Sequence, residues 1–105
     1  PLERKRLLNL LAKNSNNNLI VISGDRHLGG IYRFRTIEGF EFLEITSSSM
    51  NLPSGISYEP GPLRIGEIYA RENFGLIRIN FQMRRANIEL HGLNEGVVLS
   101  KTLHF

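Results

Sequence analysis

The residues best equipped for chemistry lie in one short stretch, Val21-Ile22-Ser23-Gly24-Asp25-Arg26-His27, where a carboxylate and an imidazole stand two positions apart. Asp supplies hard oxygen and neutral His supplies nitrogen, so the pair suits a divalent or trivalent metal ion. Two ligands alone hold a metal weakly. The same spacing also fits an ordinary arrangement in which Asp25 caps a turn and His27 bonds a backbone carbonyl, and spacing leaves both readings open. Arg26 points away from its neighbours if the segment stays extended. It is therefore a candidate for substrate binding through phosphate, with a salt bridge or a solvated side chain as the plainer role. Ser23 and the run Thr46-Ser47-Ser48-Ser49 could border the same cleft, although a solvated loop is the expected place for them. The chain has no cysteine, which excludes disulfides, thiolate zinc sites and cysteine nucleophiles. His91 falls on the polar face of an expected strand and His104 one residue from the C-terminus, so both read as structural.

Positioning Asp25 and His27 is the task of the elements around them. Leu19-Ile20-Val21-Ile22 is a continuous run rich in β-branched residues, which predicts a strand buried on both faces in the centre of a sheet. The pair then follows that strand's carboxyl end, where ligand sites form in open α/β sheets. Upstream, Leu7, Leu10 and Leu11 at i, i+3, i+4 predict an amphipathic helix over about 2–13, and the Asn-rich run from Asn14 to Asn18 reads as the loop leaving it. Downstream the period changes to two: a strand from Ile31, a turn at Ile37-Glu38-Gly39 and a returning strand from Phe40 to Ile45. Between Asn51 and Gly66 three prolines and several glycines predict a long irregular, exposed loop that covers a surface or a cleft. Alternation over 74–81, 86–91 and 97–103 predicts a three-stranded antiparallel meander, with Arg84-Arg85 at a solvated tip. Tyr32, Phe34, Phe40, Phe42, Phe74 and Phe81 sit at strand spacing and are expected in the core rather than as a base-stacking platform. The fold class is α+β, mostly strand, in a single domain over 1–105.

The 105 residues are 41% hydrophobic and 22% charged, a globular composition with enough apolar side chain for one core. Thirteen Lys and Arg against ten Asp and Glu give a net charge of +3, but the basic residues are scattered along the chain, which argues against a nucleic-acid partner. No apolar run approaches the ~20 residues of a membrane span. Starting on Pro1 rather than Met, the chain is expected to be processed or cut from something longer.

Four blocks in order carry a resemblance: Leu7 to Leu11, Asn18 to His27, Glu44 to Ser49, and Asn73 to Ile79. Together they look like the C-terminal third of PhoD-like alkaline phosphatases, within the calcineurin-like metallophosphoesterase superfamily. The resemblance implies two β-sheets packed face to face with helices outside, this chain forming one flank of that sandwich. It implies two metal ions in the intact enzyme, iron and calcium in the best-known members, with zinc or manganese as other options. In the superfamily the last metal motif is Gly-His-x-His; PhoD-like enzymes replace the first His by Asp, as in Gly24-Asp25-Arg26-His27. Asp25 and His27 are thereby implied as metal ligands that converge on one ion, His27 through a neutral ring nitrogen. The earlier motifs have no counterpart here, so the remainder of the catalytic domain is an expected upstream partner. The implied function is hydrolysis of phosphate esters, as an alkaline phosphatase or phosphodiesterase, by attack of metal-bound water or hydroxide. The competing reading is a non-catalytic β-rich binding or interaction module. Frequent export in the family favours an extracytoplasmic location.

Overall fold

The computed structural model describes residues 1–14, 18–36, 39–56 and 58–105. The leucine spacing near the start produces helix α1 (Leu2–Asn14). Among the described residues seven strands follow: β1 (Leu19–Ser23), β2 (Gly29–Arg35), β3 (Glu41–Ser47), β4 (Arg64–Tyr69), β5 (Asn73–Asn80), β6 (Arg85–Gly92) and β7 (Gly96–His104). They form a four-stranded sheet in the order β1-β3-β2-β4 and a three-stranded sheet in the order β5-β6-β7. The second sheet is the expected meander, antiparallel throughout. In the first, β1 and β3 run parallel and the other pairs antiparallel. The α+β class expected from the patterning is what the chain adopts. The expected turn at Ile37-Glu38 and most of the Asn-rich loop lie outside the described residues.

Burial explains how the layers stack. Ile31, Leu43 and Ile45 from the first sheet meet Ile88 from the second, with Ile20, Ile65, Ile77, Leu99 and Leu103 packed around them. Fully burying one such side chain stabilises the fold by roughly 1.5–3 kcal/mol, so this cluster is what holds sheet to sheet. On the other face of the first sheet, Val21, Phe34 and Phe42 lie beneath Leu7, Leu8 and Leu11 of α1, around a cavity of about 310 Å³.

Several expectations need correction. The Leu19-to-Ile22 run is not the central strand: among the described residues β1 pairs only with β3, and Ile22 is 74% exposed. The strand buried on both faces is β3, where Phe42 faces the helix side while Leu43 and Ile45 face the second sheet. Its two glutamates disguised it. Glu41 pairs with Arg33 and Arg35 at 3.4 and 2.9 Å, and Glu44 accepts a hydrogen bond from the Ser23 hydroxyl at 2.7 Å, so neither charge is stranded. The breaker-rich 51–66 segment does not stay irregular to its end: from Arg64 it pairs with β2 as β4, with an irregular register, Gly66 supplying φ +72°. Nor is the Thr46-to-Ser49 run a solvated loop. Thr46 and Ser47 still belong to β3, and Thr46 and Ser49 are buried. Of the aromatics expected inside, Phe40 and Phe42 are buried, but Phe74 is exposed and Phe81 more so. Phe81 stands at the β5–β6 turn, its ring 6.2 Å from that of Phe105.

Candidate functional site

Parallel pairing builds the site. Because Ser23 of β1 is in register with Thr46 of β3, both strands end side by side, and the segments leaving their carboxyl ends meet. From β1 the chain passes through Gly24-Asp25-Arg26-His27-Leu28 into β2; from β3 it passes through Ser48 and Ser49 into the long irregular segment.

The first of these segments is bent sharply. Asp25 and His27 both take left-handed backbone conformations, φ 65° and 56°, which cost a residue with a Cβ roughly 1–2 kcal/mol each. Hydrogen bonds from across the site hold the bend. The amides of Arg26 and His27 both donate to the Ser48 hydroxyl oxygen, each at 3.0 Å. That hydroxyl in turn lies 3.4 Å from the Leu28 carbonyl oxygen, to which it donates.

The long segment is laced across this loop. His27 Nδ1 is 2.8 Å from the Leu52 carbonyl oxygen. A carbonyl only accepts, so Nδ1 carries the proton and, in the neutral ring, Nε2 keeps the lone pair. The Ser54 amide donates to the His27 carbonyl at 2.7 Å. Arg26 reaches over the Tyr32 ring, donates to its hydroxyl at 3.0 Å and pairs with the Glu59 carboxylate at 2.5 Å. The hydrogen bond to Glu59 is the main reason the Arg26 guanidinium is held above its ordinary pKa; partial desolvation opposes it. Arg64 secures the far end of the segment, donating to the Glu59 carbonyl and, at 2.9 Å, to that of Gly66. Residues 51–56 and 58–63 are otherwise irregular and largely exposed, as the prolines predict.

Asp25 is exposed and makes no hydrogen bond or ion pair among the described residues. The structure thus places Asp25, Arg26 and His27 on one exposed loop, with Arg26 in the salt bridge and His27 bonded to a backbone carbonyl. No group of three or more His, Cys, Asp and Glu able to hold a metal gathers among the described residues. Ser23 is engaged with Glu44 instead. His91 binds Glu89 at 2.7 Å and stacks on Phe74 on the outer face of the second sheet, and His104 is exposed near the end of β7.

Two contributors go beyond Asp25, Arg26 and His27. Ser48, from the hydroxyl run that could border the cleft, is one. The other is Asn73, fully buried beneath the site, which accepts from the Ser47 hydroxyl at 3.0 Å, donates through its side chain to the Arg71 carbonyl at 2.7 Å and through its amide to the Ser49 carbonyl at 2.8 Å. It ties the second sheet to the end of β3. The available signal was the cluster of four hydroxyl residues directly after an apolar strand, too dense for an exit turn alone. No family model matches the chain, and comparisons with curated proteins and with solved structures return no match.

Proposed function

We propose that the chain is part of a metal-dependent phosphoric ester hydrolase, an alkaline phosphatase or phosphodiesterase of the PhoD-like kind, in which Asp25 and His27 are metal ligands. The observation that carries this reading is the orientation of His27: Nδ1–H donates to the Leu52 carbonyl, leaving the Nε2 lone pair two residues from the Asp25 carboxylate, which is unpaired among the described residues. A ligand histidine characteristically donates its other ring N–H to such an acceptor, which fixes its tautomer. The donor types fit, hard oxygen beside imidazole nitrogen, for iron, calcium, zinc or manganese. Two donors do not complete a site, so the remaining ligands come from the rest of the catalytic domain.

Bound cations in such enzymes neutralise phosphate oxygens and activate the attacking water. The chain's own residues do the rest. Asp25 and His27 present their donors from one bent loop. Arg26, positioned by Tyr32, binds the phosphate of the ester once Glu59 yields its place. Leu52 and Glu59, bonded to His27 and Arg26, flank this loop and border the entrance.

Hydrolysis of p-nitrophenyl phosphate and of a bis-ester by the intact protein, with iron, calcium, manganese or zinc added, tests the proposal. Metal-dependent turnover is expected for the intact protein, and none above buffer plus metal for residues 1–105 alone. A second reading, a non-catalytic β-rich interaction module, draws on the exposed apolar side chains of Ile22, Ile79 and Phe81 and on the Glu59 carboxylate that occupies Arg26. It prevails if the intact protein turns over neither ester with any of the metals.

A further inference from the structure

Asp25 and His27 hold left-handed conformations on either side of Arg26, and neither is a glycine, so something must offset their cost. Successive backbone amides in such a bend converge to form a concavity that receives an electron-rich atom. In this protein the atom is the Ser48 hydroxyl oxygen, which accepts both the Arg26 and the His27 amide at 3.0 Å. Both of its lone pairs are used, and its single proton is directed at Leu28. We infer that Ser48 is the positioning residue of this loop: its hydroxyl sets the backbone of Asp25-Arg26-His27 and thereby turns the His27 ring so that Nδ1 meets Leu52.

Its neighbours supply the contrast. Among the four consecutive hydroxyl residues, Ser47 donates to Asn73, while the Thr46 and Ser49 hydroxyls are buried with no hydrogen-bond partner among the described residues. Only the Ser48 hydroxyl reaches the loop. Its effect on loop conformation stands by itself; its effect on metal affinity rests on the function proposed above.

The test uses the intact protein, stripped of metal with a chelator and labelled with ¹⁵N-histidine. Long-range proton–nitrogen spectra report each ring's tautomer. His27 is expected as the Nδ1–H form and His91, whose Nε2 faces the Glu89 carboxylate, as the Nε2–H form, an internal reference on the far sheet. Ser48→Ala should convert the single His27 pattern into a mixture with a substantial Nε2–H share and leave His91 unchanged. Ser48→Thr, which keeps the hydroxyl, should restore the Nδ1–H pattern, and Ser49→Ala should leave it intact. Should Ser48→Ala fail to fold, Ser48→Cys carries the same expectation, because a thiol is a weak acceptor. A His27 pattern unchanged in the Ser48 variant overturns the inference, whatever the metal does. Titration with Mn²⁺ then probes the proposed function separately: Ser48→Ala should weaken binding by about 10- to 100-fold. If Asp25→Ala and His27→Ala bind Mn²⁺ as the parent does, the metal reading fails while a tautomer shift in Ser48→Ala still upholds the role of Ser48.

Discussion

The second sheet and the loop cluster at the ends of β1 and β3 are held by different forces. In β6 every second residue, Ala86, Ile88, Leu90 and Gly92, is buried against the first sheet, while the alternate residues pair across the outer face, Glu89 with Arg78 and His91, Asn87 with Thr102. Burial fixes that region, and its pattern is local. Around Asp25 the fully buried side chains are the apolar Leu28 and the polar Thr46, Ser49 and Asn73, and the segments are joined by side-chain and backbone hydrogen bonds between residues more than twenty positions apart. A site held this way can be altered chemically without unfolding, because little of the protein's buried apolar area depends on it.

Substitutions should separate the two regions sharply. Ile88→Ala removes a fully buried member of the inter-sheet cluster and is expected to cost about 2–5 kcal/mol, read as a lower denaturation midpoint at unchanged slope. A loss under about 1 kcal/mol would show that the sheets are held elsewhere. If the proposed hydrolase function holds, Asp25→Ala and His27→Ala in the intact protein should lower kcat at least about 100-fold, roughly 2.7 kcal/mol of barrier, with nearly the parent melting temperature. Near-parent turnover in either variant rejects its proposed role.

Smaller effects sharpen the contrast. The Arg26–Glu59 pair is partly exposed, 38% and 32% at the side chains, so Glu59→Ala should change stability by no more than about 1 kcal/mol. It should instead lower KM for phosphate esters by freeing Arg26. Shortening the 51–63 segment should likewise alter KM or substrate preference more than melting temperature; the reverse would mark that segment as packing. On the far sheet, the His91 ring first and then the Arg78 guanidinium hold the Glu89 carboxyl below its ordinary 4.5. A carboxyl whose pKa is depressed by folding adds stability above its unfolded value and loses it as pH falls toward the folded one. Acid titration should therefore destabilise the protein below about 4.5, and Glu89→Gln should flatten that segment of the stability curve while leaving turnover at neutral pH unchanged.

Alternation made the meander legible, since each of β5 to β7 carries its own period-two pattern. The same rule failed at β1, where Ile20 packs toward the core and Val21 lines the space under α1, so an apolar run satisfied both faces of an edge strand. It failed at β4 because Pro60, Pro62 and Gly66 masked a strand that pairs with β2 through an irregular register. Asp25 and His27 could be singled out by chemistry, but not their left-handed backbone, which neither residue type announces. Ser48 stood out only as one of four hydroxyl residues that could border the cleft: its own role arises from the parallel pairing of β1 and β3, a tertiary fact invisible in either strand alone.

Metal content of the intact protein, measured by elemental analysis beside Asp25→Ala and His27→Ala, tests the central claim most directly. Metal that copurifies with the parent at a fixed stoichiometry and falls in both variants, at unchanged melting temperature, is the predicted result. Equal metal content in all three proteins, or none in the parent even after metal is supplied, would contradict it.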